Sequence, residues 1–274
     1  MKNNFILVVA GEPNSVFLEV LFKAIKFKKY KSPIILICNK DILTKHMRKN
    51  NFKKKINILE LNKLRRYRLN NNCLNLIDVK FYNNRTNNYI RESFNVAFKL
   101  IENKFSKKLI NGPINKGSFL NKKYLGITEY VSEKFKIKES GMLIFNKKLS
   151  VCPLTTHLPL KLVSKNVTKK LLRDKIILIN NFYKKYFKYK PKIAVTGLNP
   201  HCESILKFNE DTKIISKVIE SQKKRIYVKG PFPADTIFLK GNRDKFNVIL
   251  GMYHDQVLAP IKTLFEFDAI NITM

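Results

Sequence analysis

Two short, unbroken apolar runs near the start of the chain constrain the fold most. Phe5–Ala10 contains no polar residue and stops at Gly11, and Ile34–Cys38 repeats the pattern. A strand that faces water on one side alternates polar with apolar residues. An uninterrupted run of strand length needs both faces covered, as in a parallel sheet flanked by helices. The segments between the runs have helical spacing. Ser15–Phe27 places Val16, Val20, Leu21, Ala24 and Ile25 on one face, and Tyr89–Asn103 does the same with Ile90, Phe94, Ala97, Phe98 and Ile101. Further strands are expected at Ile56–Leu61, Lys192–Leu198, Asn247–Gly251 and Ala269–Thr273, with helices inside Asn166–Phe187 and Asp211–Lys223. This alternation predicts an α/β architecture with a mostly parallel sheet. Asn62–Asn88 is Asn-rich and basic with little periodicity, and reads as a surface excursion holding one short strand.

The 274 residues carry 54 Lys and Arg against 20 Asp and Glu, a formal charge of +34. Such a balance raises nucleic acid or an anionic membrane as partners. The basic residues are spread along the chain rather than gathered in one arm. The abundance of Lys, Asn, Ile, Phe and Tyr, with only 9 Gly and no Trp, matches the drift of an A/T-rich coding sequence. Neither nucleic acid nor membrane is therefore expected as a partner. No apolar run reaches the roughly 20 residues of a membrane span, and the N-terminal run is too short for a secretory signal. A cytoplasmic location is the expectation. Cys38, Cys73, Cys152 and Cys202 have no Cys-x-x-Cys spacing, so they read as buried or incidental thiols.

Four histidines are present. His46 lies on a polar helix face and reads as solvated. His157, in Thr155-Thr156-His157-Leu158-Pro159, His201, in Gly197-Leu198-Asn199-Pro200-His201, and His254, in Met252-Tyr253-His254-Asp255-Gln256, each follow a strand-like segment. Ligands of open α/β sheets bind outside the carboxyl ends of the strands. Three imidazoles there could meet on one divalent metal, although a lone histidine is more often structural.

These segments, with Asn111-Gly112-Pro113-Ile114-Asn115-Lys116, Gly126-Ile127-Thr128-Glu129, Gly230-Pro231-Phe232-Pro233-Ala234-Asp235-Thr236, Lys262 and Ala269-Ile270-Asn271-Ile272-Thr273, occur in the order found in the 4-hydroxythreonine-4-phosphate dehydrogenase family of pyridoxal-phosphate biosynthesis. The chain resembles that family from Gly11 to Thr273. The resemblance implies a two-lobed α/β/α fold related to the isocitrate and isopropylmalate dehydrogenases. Residues 1–125 with 255–274 would form a first lobe, and 126–254 a second lobe with the metal site and dimer interface. It implies a homodimer whose active site is shared between subunits, and NAD, or NADP, as oxidant. It also implies a divalent ion (zinc, magnesium or cobalt) on His157, His201 and His254, with Thr128, Asp235, Asp255, Lys262 and Asn271 at the substrate. The implied reaction oxidises 4-phosphohydroxy-L-threonine to a β-keto acid, which decarboxylates to 3-amino-2-oxopropyl phosphate.

The residue types suit that chemistry. A divalent cation eases proton loss from an alcohol, and NAD takes the hydride. Lys262 can anchor a phosphate or carboxylate as a point charge, with Lys116 a second candidate, and Asn271 can donate to the same group. Asp235 and Asp255 can receive the substrate ammonium or support metal ligands.

The chain departs from the family pattern in four places. Ile127 stands where the family has a substrate-binding histidine. Phe17 and Leu18 replace small residues after the first strand. The loop after His201 reads Cys202-Glu203-Ser204-Ile205-Leu206 without the usual glycines, which leaves the NAD contacts unassigned. The family also continues past the position of Met274 with a substrate-contacting arginine, so a C-terminally truncated member is expected. The alternatives are a dehydrogenase of 4-phosphothreonate or 4-phosphoerythronate, an inactive remnant, and a basic nucleic-acid-binding protein.

Overall fold

The computed structural model describes residues 5–82, 85–120, 124, 126–137, 139–203 and 209–274. It divides into two units, Met1–Lys123 and Tyr124–Met274. Among the described residues no helix is long and apolar enough to cross a membrane.

In the first unit the chain runs β1 (Ile6–Val9), α1 (Phe17–Phe27), β2 (Ile34–Cys38), α2 (Lys40–Lys49), β3 (Ile56–Ile58), β4 (Leu74–Asp78), α3 (Thr86–Glu102), β5 (Leu109–Asn111) and α4 (Lys116–Phe119). The strands form one sheet in the order β3-β4-β2-β1-β5, with every pairing parallel. The period-2 geometry of a strand sends alternate residues to opposite faces. Val8, Leu36, Cys38, Leu74 and Leu76 pack with Leu18, Phe22, Leu43 and Met47 of α1 and α2. Leu7, Val9, Ile35 and Ile37 are buried too, on the other face, and α3 packs on β1 and β2. Both faces are covered, which is why β1 and β2 are apolar without interruption.

Two expectations change here. Leu18 and Phe22 are the buried residues of α1, and Leu21 and Ile25 of the expected face pack partly buried beside them, whereas Val16 and Val20 are exposed. The stretch 62–88 is also more than a surface excursion, because β4 lies between β3 and β2. Asn75 disguised it. Its side chain is buried inside the sheet and donates to the Ile34 carbonyl at 3.0 Å and the Asn70 carbonyl at 2.8 Å, which satisfies the amide where an apolar residue would be expected.

The second unit contains α5 (Ile127–Lys134), β6 (Met142–Phe145), β7 (Ser150–Pro153), α6 (Val163–Asn166), α7 (Lys169–Phe182), β8 (Ile193–Thr196), α8 (Ser216–Gln222), β9 (Val228–Phe232), α9 (Lys240–Arg243), β10 (Val248–Gly251), α10 (His254–Phe265) and β11 (Ile270–Thr273). Its sheet has the order β11-β6-β7-β10-β8-β9. The strands β7, β10, β8 and β9 are parallel, and β6 and β11 are antiparallel additions at one side. Cys152, Val195, Val248 and Leu250 face α7 and α8. Val151, Ala194 and Ile249 face the opposite way, toward Val257, Leu258 and Ile261 of α10. Residues 255–274, assigned by sequence to the first lobe, stand in this unit. Register explains the placement: Ile270 pairs with Phe145 and Thr273 with Met142.

All four cysteines are free, as expected. Burial pushes the thiols of Cys38 and Cys152 up to about 11. Neither is expected to react with Ellman's reagent in the native protein at mildly alkaline pH, while denaturation should release both. Rapid native labelling of Cys152 would contradict the packing around β7.

Candidate functional site at the carboxyl ends of four parallel strands

The parallel strands β7, β10, β8 and β9 are neighbours in that order, and each leads within a few residues to a chemically equipped side chain. His157 follows β7, His254 and Asp255 follow β10, His201 follows β8, and Asp235 follows β9. Strand carboxyl ends on a parallel sheet lie along one edge, so four segments distant in sequence bring the loops that carry these groups to the same edge.

The rings of His157 and His254 lie 5.5 Å apart between centroids, tilted by 40°. The Nδ1 of His254 is 2.7 Å from Asp255 Oδ1. An ionised carboxylate only accepts, so this contact puts the proton on Nδ1 and leaves Nε2 as the available lone pair. Glu129, on α5, stands beside His157. Its Oε1 accepts from the Thr156 hydroxyl at 3.0 Å and is 3.8 Å from His157 Nδ1. Its Oε2 is buried with no hydrogen-bond partner among the described residues. His201 occupies a left-handed backbone conformation, φ 58°, as does Cys202, φ 62°. Non-glycine residues held there are strained, and such strain gathers at functional loops. Burial, and then the negative charge of Asp211, push the Cys202 thiol above its ordinary value, and Asp235 adds to this. Asp235 itself is exposed, in the turn after β9.

The remaining predicted residues gather elsewhere in the unit. Lys262 and Asn271 line one cavity of about 550 Å³, together with Ile144, Leu258, Glu266 and Phe267. Lys262 lies eight residues after His254 on α10, about 12 Å along the axis at 1.5 Å per residue. Thr128 is buried, and its hydroxyl meets that of Thr273 at 3.1 Å. Ile127 opens α5 half-buried. The side chain of Lys116 and residues 204–208 of the loop after His201 lie outside the described residues. His46 is not simply solvated: its Nε2 is 2.9 Å from the Pro13 carbonyl, a link within the first unit.

Among the described residues no three His, Cys, Asp or Glu side chains are gathered closely enough to hold a metal ion. The donor chemistry still suits one. Two imidazoles lie side by side, one with its proton directed away onto a carboxylate, and an orphaned carboxylate oxygen is buried beside the other. A divalent cation accepts such a donor set. Glu129 carried no role in the sequence reading; its spacing to Thr128 in Gly126-Ile127-Thr128-Glu129 was the available signal.

An α/β protein with one parallel and one mixed sheet and a polar, histidine-bearing strand edge is thus the class defined by fold and site. Residues 29–274 match the family described as "Pyridoxal phosphate biosynthetic protein PdxA", and the chain belongs to it. A 4-hydroxythreonine-4-phosphate dehydrogenase of Wigglesworthia glossinidia brevipalpis is 31% identical over 286 residues, covering 100% of this chain and 86% of the relative. One of Sulfurihydrogenibium sp. (strain YO3AOP1) is 33% identical over 285 residues, covering 97% and 85%. The solved 4-hydroxythreonine-4-phosphate dehydrogenase of Klebsiella pneumoniae shares the fold, with a TM-score of 0.81 at 22% identity over 98% of this chain and 87% of its own.

Proposed function

We propose that this chain is a cytoplasmic, NAD-dependent (or NADP-dependent) and divalent-metal-dependent dehydrogenase. It oxidises 4-phosphohydroxy-L-threonine to a β-keto acid that decarboxylates to 3-amino-2-oxopropyl phosphate, and it works as a homodimer. The observation that carries the reading is the delivery of His157, His254 and His201 by three adjacent parallel strands in a member of the PdxA family. A divalent cation on these imidazoles, zinc, magnesium or cobalt, supplies Lewis acidity toward the substrate alcohol. NAD supplies the hydride acceptor. The chain's own residues bind and orient. Asp255 fixes the tautomer of His254. Asp235 offers a carboxylate to the substrate ammonium. Lys262 and Asn271 line a shared cavity and offer a cation and an amide donor to an anionic group. Their distance from His254 along α10 suits a site completed by a second subunit, in which one chain gives the histidines and the other the anion anchor. Thr128, already paired with Thr273, completes the set of substrate contacts.

The test is NADH formation by purified protein given 4-phosphohydroxy-L-threonine, with and without chelator. Turnover that needs no divalent ion would overturn the metal role. Ile127, at the position of the family's substrate histidine, favours a second reading in which the substrate is 4-phosphothreonate or 4-phosphoerythronate. A higher kcat/KM on either of these would select it.

A further inference from the structure

The first unit contains a cavity of about 610 Å³ at the amino ends of β2 and β4, against the last turns of α1. Every strand of this sheet is parallel, so the cavity lies at the opposite end from Gly11 and Gly112, where β1 and β5 finish. Nothing in the proposed chemistry uses that end. The floor is apolar, formed by Leu21 and Ile25 of α1 with Ile34, Leu36 and Leu74 of the sheet. Lys26, Lys28, Lys29, Lys31 and Lys54 surround it, and no Asp or Glu lines it among the described residues. Lysine is common throughout the chain, but the lack of carboxylates is local. Between Val20 and Leu59 the one acidic residue is Asp41, which opens α2 beyond the carboxyl end of β2. A concave, low-dielectric wall ringed by one sign of charge concentrates counter-ions. The rim is also fixed in place. Asn71 Oδ1 accepts from the Ile34 N–H at 2.9 Å, and its Nδ2 donates to the carbonyls of Tyr30 at 2.8 Å and Ser32 at 2.9 Å, which pins the segment that carries Lys28, Lys29 and Lys31. The Leu74 N–H donates to the Lys55 carbonyl at 2.8 Å and ties the segment of Lys54 to the same wall.

We propose that this cavity binds a small organic phosphate with more than one negative charge and an apolar or aromatic body, of the class of a nucleoside diphosphate. The volume lies within the roughly 300–1,000 Å³ of small-ligand pockets. Ammonium groups on three sides supply charge-assisted hydrogen bonds to phosphate oxygens. The apolar floor covers the body of the ligand, and Tyr30, which also lines the cavity, offers a ring for stacking. A nucleic-acid strand needs a basic groove that tracks its backbone, whereas these lysines close around one pit.

Cys73 lines the cavity as a free, partly exposed thiol. Its rate of alkylation by iodoacetamide, mapped by mass spectrometry of the purified full chain, therefore reports occupancy of this cavity; ADP held at a cofactor site elsewhere leaves it unchanged. ADP is expected to protect Cys73 at lower concentration than inorganic pyrophosphate does, and added salt should weaken both. Lys28→Gln/Lys29→Gln/Lys31→Gln should raise the half-protecting concentration of ADP about 10-fold or more, with Lys54→Gln acting in the same direction. Lys184→Gln/Lys185→Gln/Lys190→Gln removes the same charge from exposed positions after α7 and should leave protection unchanged. Tyr30→Ala should weaken protection by ADP and spare that by pyrophosphate. No protection by ADP in the wild type, or equal losses in the two triple variants, overturns the site. Pyrophosphate that protects as well as ADP overturns the role of the apolar floor. A single-stranded oligonucleotide that protects Cys73 at lower concentration than ADP overturns the small-ligand reading.

Discussion

His254→Ala is expected to lower kcat/KM for substrate-dependent NADH formation by about a thousandfold, equivalent to roughly 4 kcal/mol of lost transition-state stabilisation. The size follows from where the ring stands. It lies 5.5 Å from the ring of His157, and its Nδ1 is engaged by Asp255 at 2.7 Å, so alanine removes the one nitrogen left to act as a ligand. Asp255→Asn is a finer probe. An amide can donate to Nδ1 and favour the wrong tautomer, and the expected loss is about 10- to 100-fold. His46→Ala should leave turnover unchanged, because the His46 ring reaches the Pro13 carbonyl within the first unit and none of the residues at the strand edge. Steady-state rates across a titration of added divalent ion measure all three. Full activity in His254→Ala would remove the basis for placing the chemistry at this strand edge.

The second large effect is on stability. Gly112→Ala is expected to cost about 3 kcal/mol or more, the range of severe steric lesions. A Cβ at Gly112 would stand 2.0 Å from the Ala10 carbonyl oxygen and 2.9 Å from Phe17 Cγ. Across from it, Gly11 adopts φ +77° with its own Cβ position 2.3 Å from the Pro113 oxygen. The two loops are held in this embrace by Gly112 N–H to the Val9 carbonyl at 2.8 Å and Glu12 N–H to the Pro113 carbonyl at 2.9 Å. The obstruction is backbone and not a movable side chain, so a methyl group must separate β1 from β5. Gly241→Ala is the matched control. It lies in α9 with nothing within 4 Å of its Cβ position, and should be stabilising by about 0.5–1 kcal/mol through lower unfolded-state entropy. Urea unfolding followed by circular dichroism separates the two. Equal midpoints for Gly112→Ala and wild type would contradict the close approach.

The resemblance quoted Asn111-Gly112-Pro113 as a motif, and the structure gives the glycine its reason: the ends of β1 and β5 converge there. The reverse holds for Val16 and Val20. Their spacing matched that of Leu21 and Ile25, which do pack, but how far the packed face turns depends on the sheet, and Leu18 and Phe22 are its most buried residues. Asn75 shows why β4 was hard to read. A polar residue inside a strand looks like a loop until its two carbonyl partners are known, and those belong to the β2 start and the Asn70 turn.

Taken alone, the sequence determined what is local. Unbroken apolar runs required strands covered on both faces, helical spacing marked the crossovers, and residue types at strand ends singled out His157, His201 and His254. The ordered motifs pointed to the family. The strand order was left to the tertiary structure. That β10 lies between β7 and β8, and that β11 joins β6, are decided by hydrogen bonds between strands far apart in the chain. No side-chain period encodes such pairings, because every parallel strand buried on both faces looks alike in sequence. The strand order places the loops that carry residues 157, 254 and 201 at adjacent strand ends of one sheet.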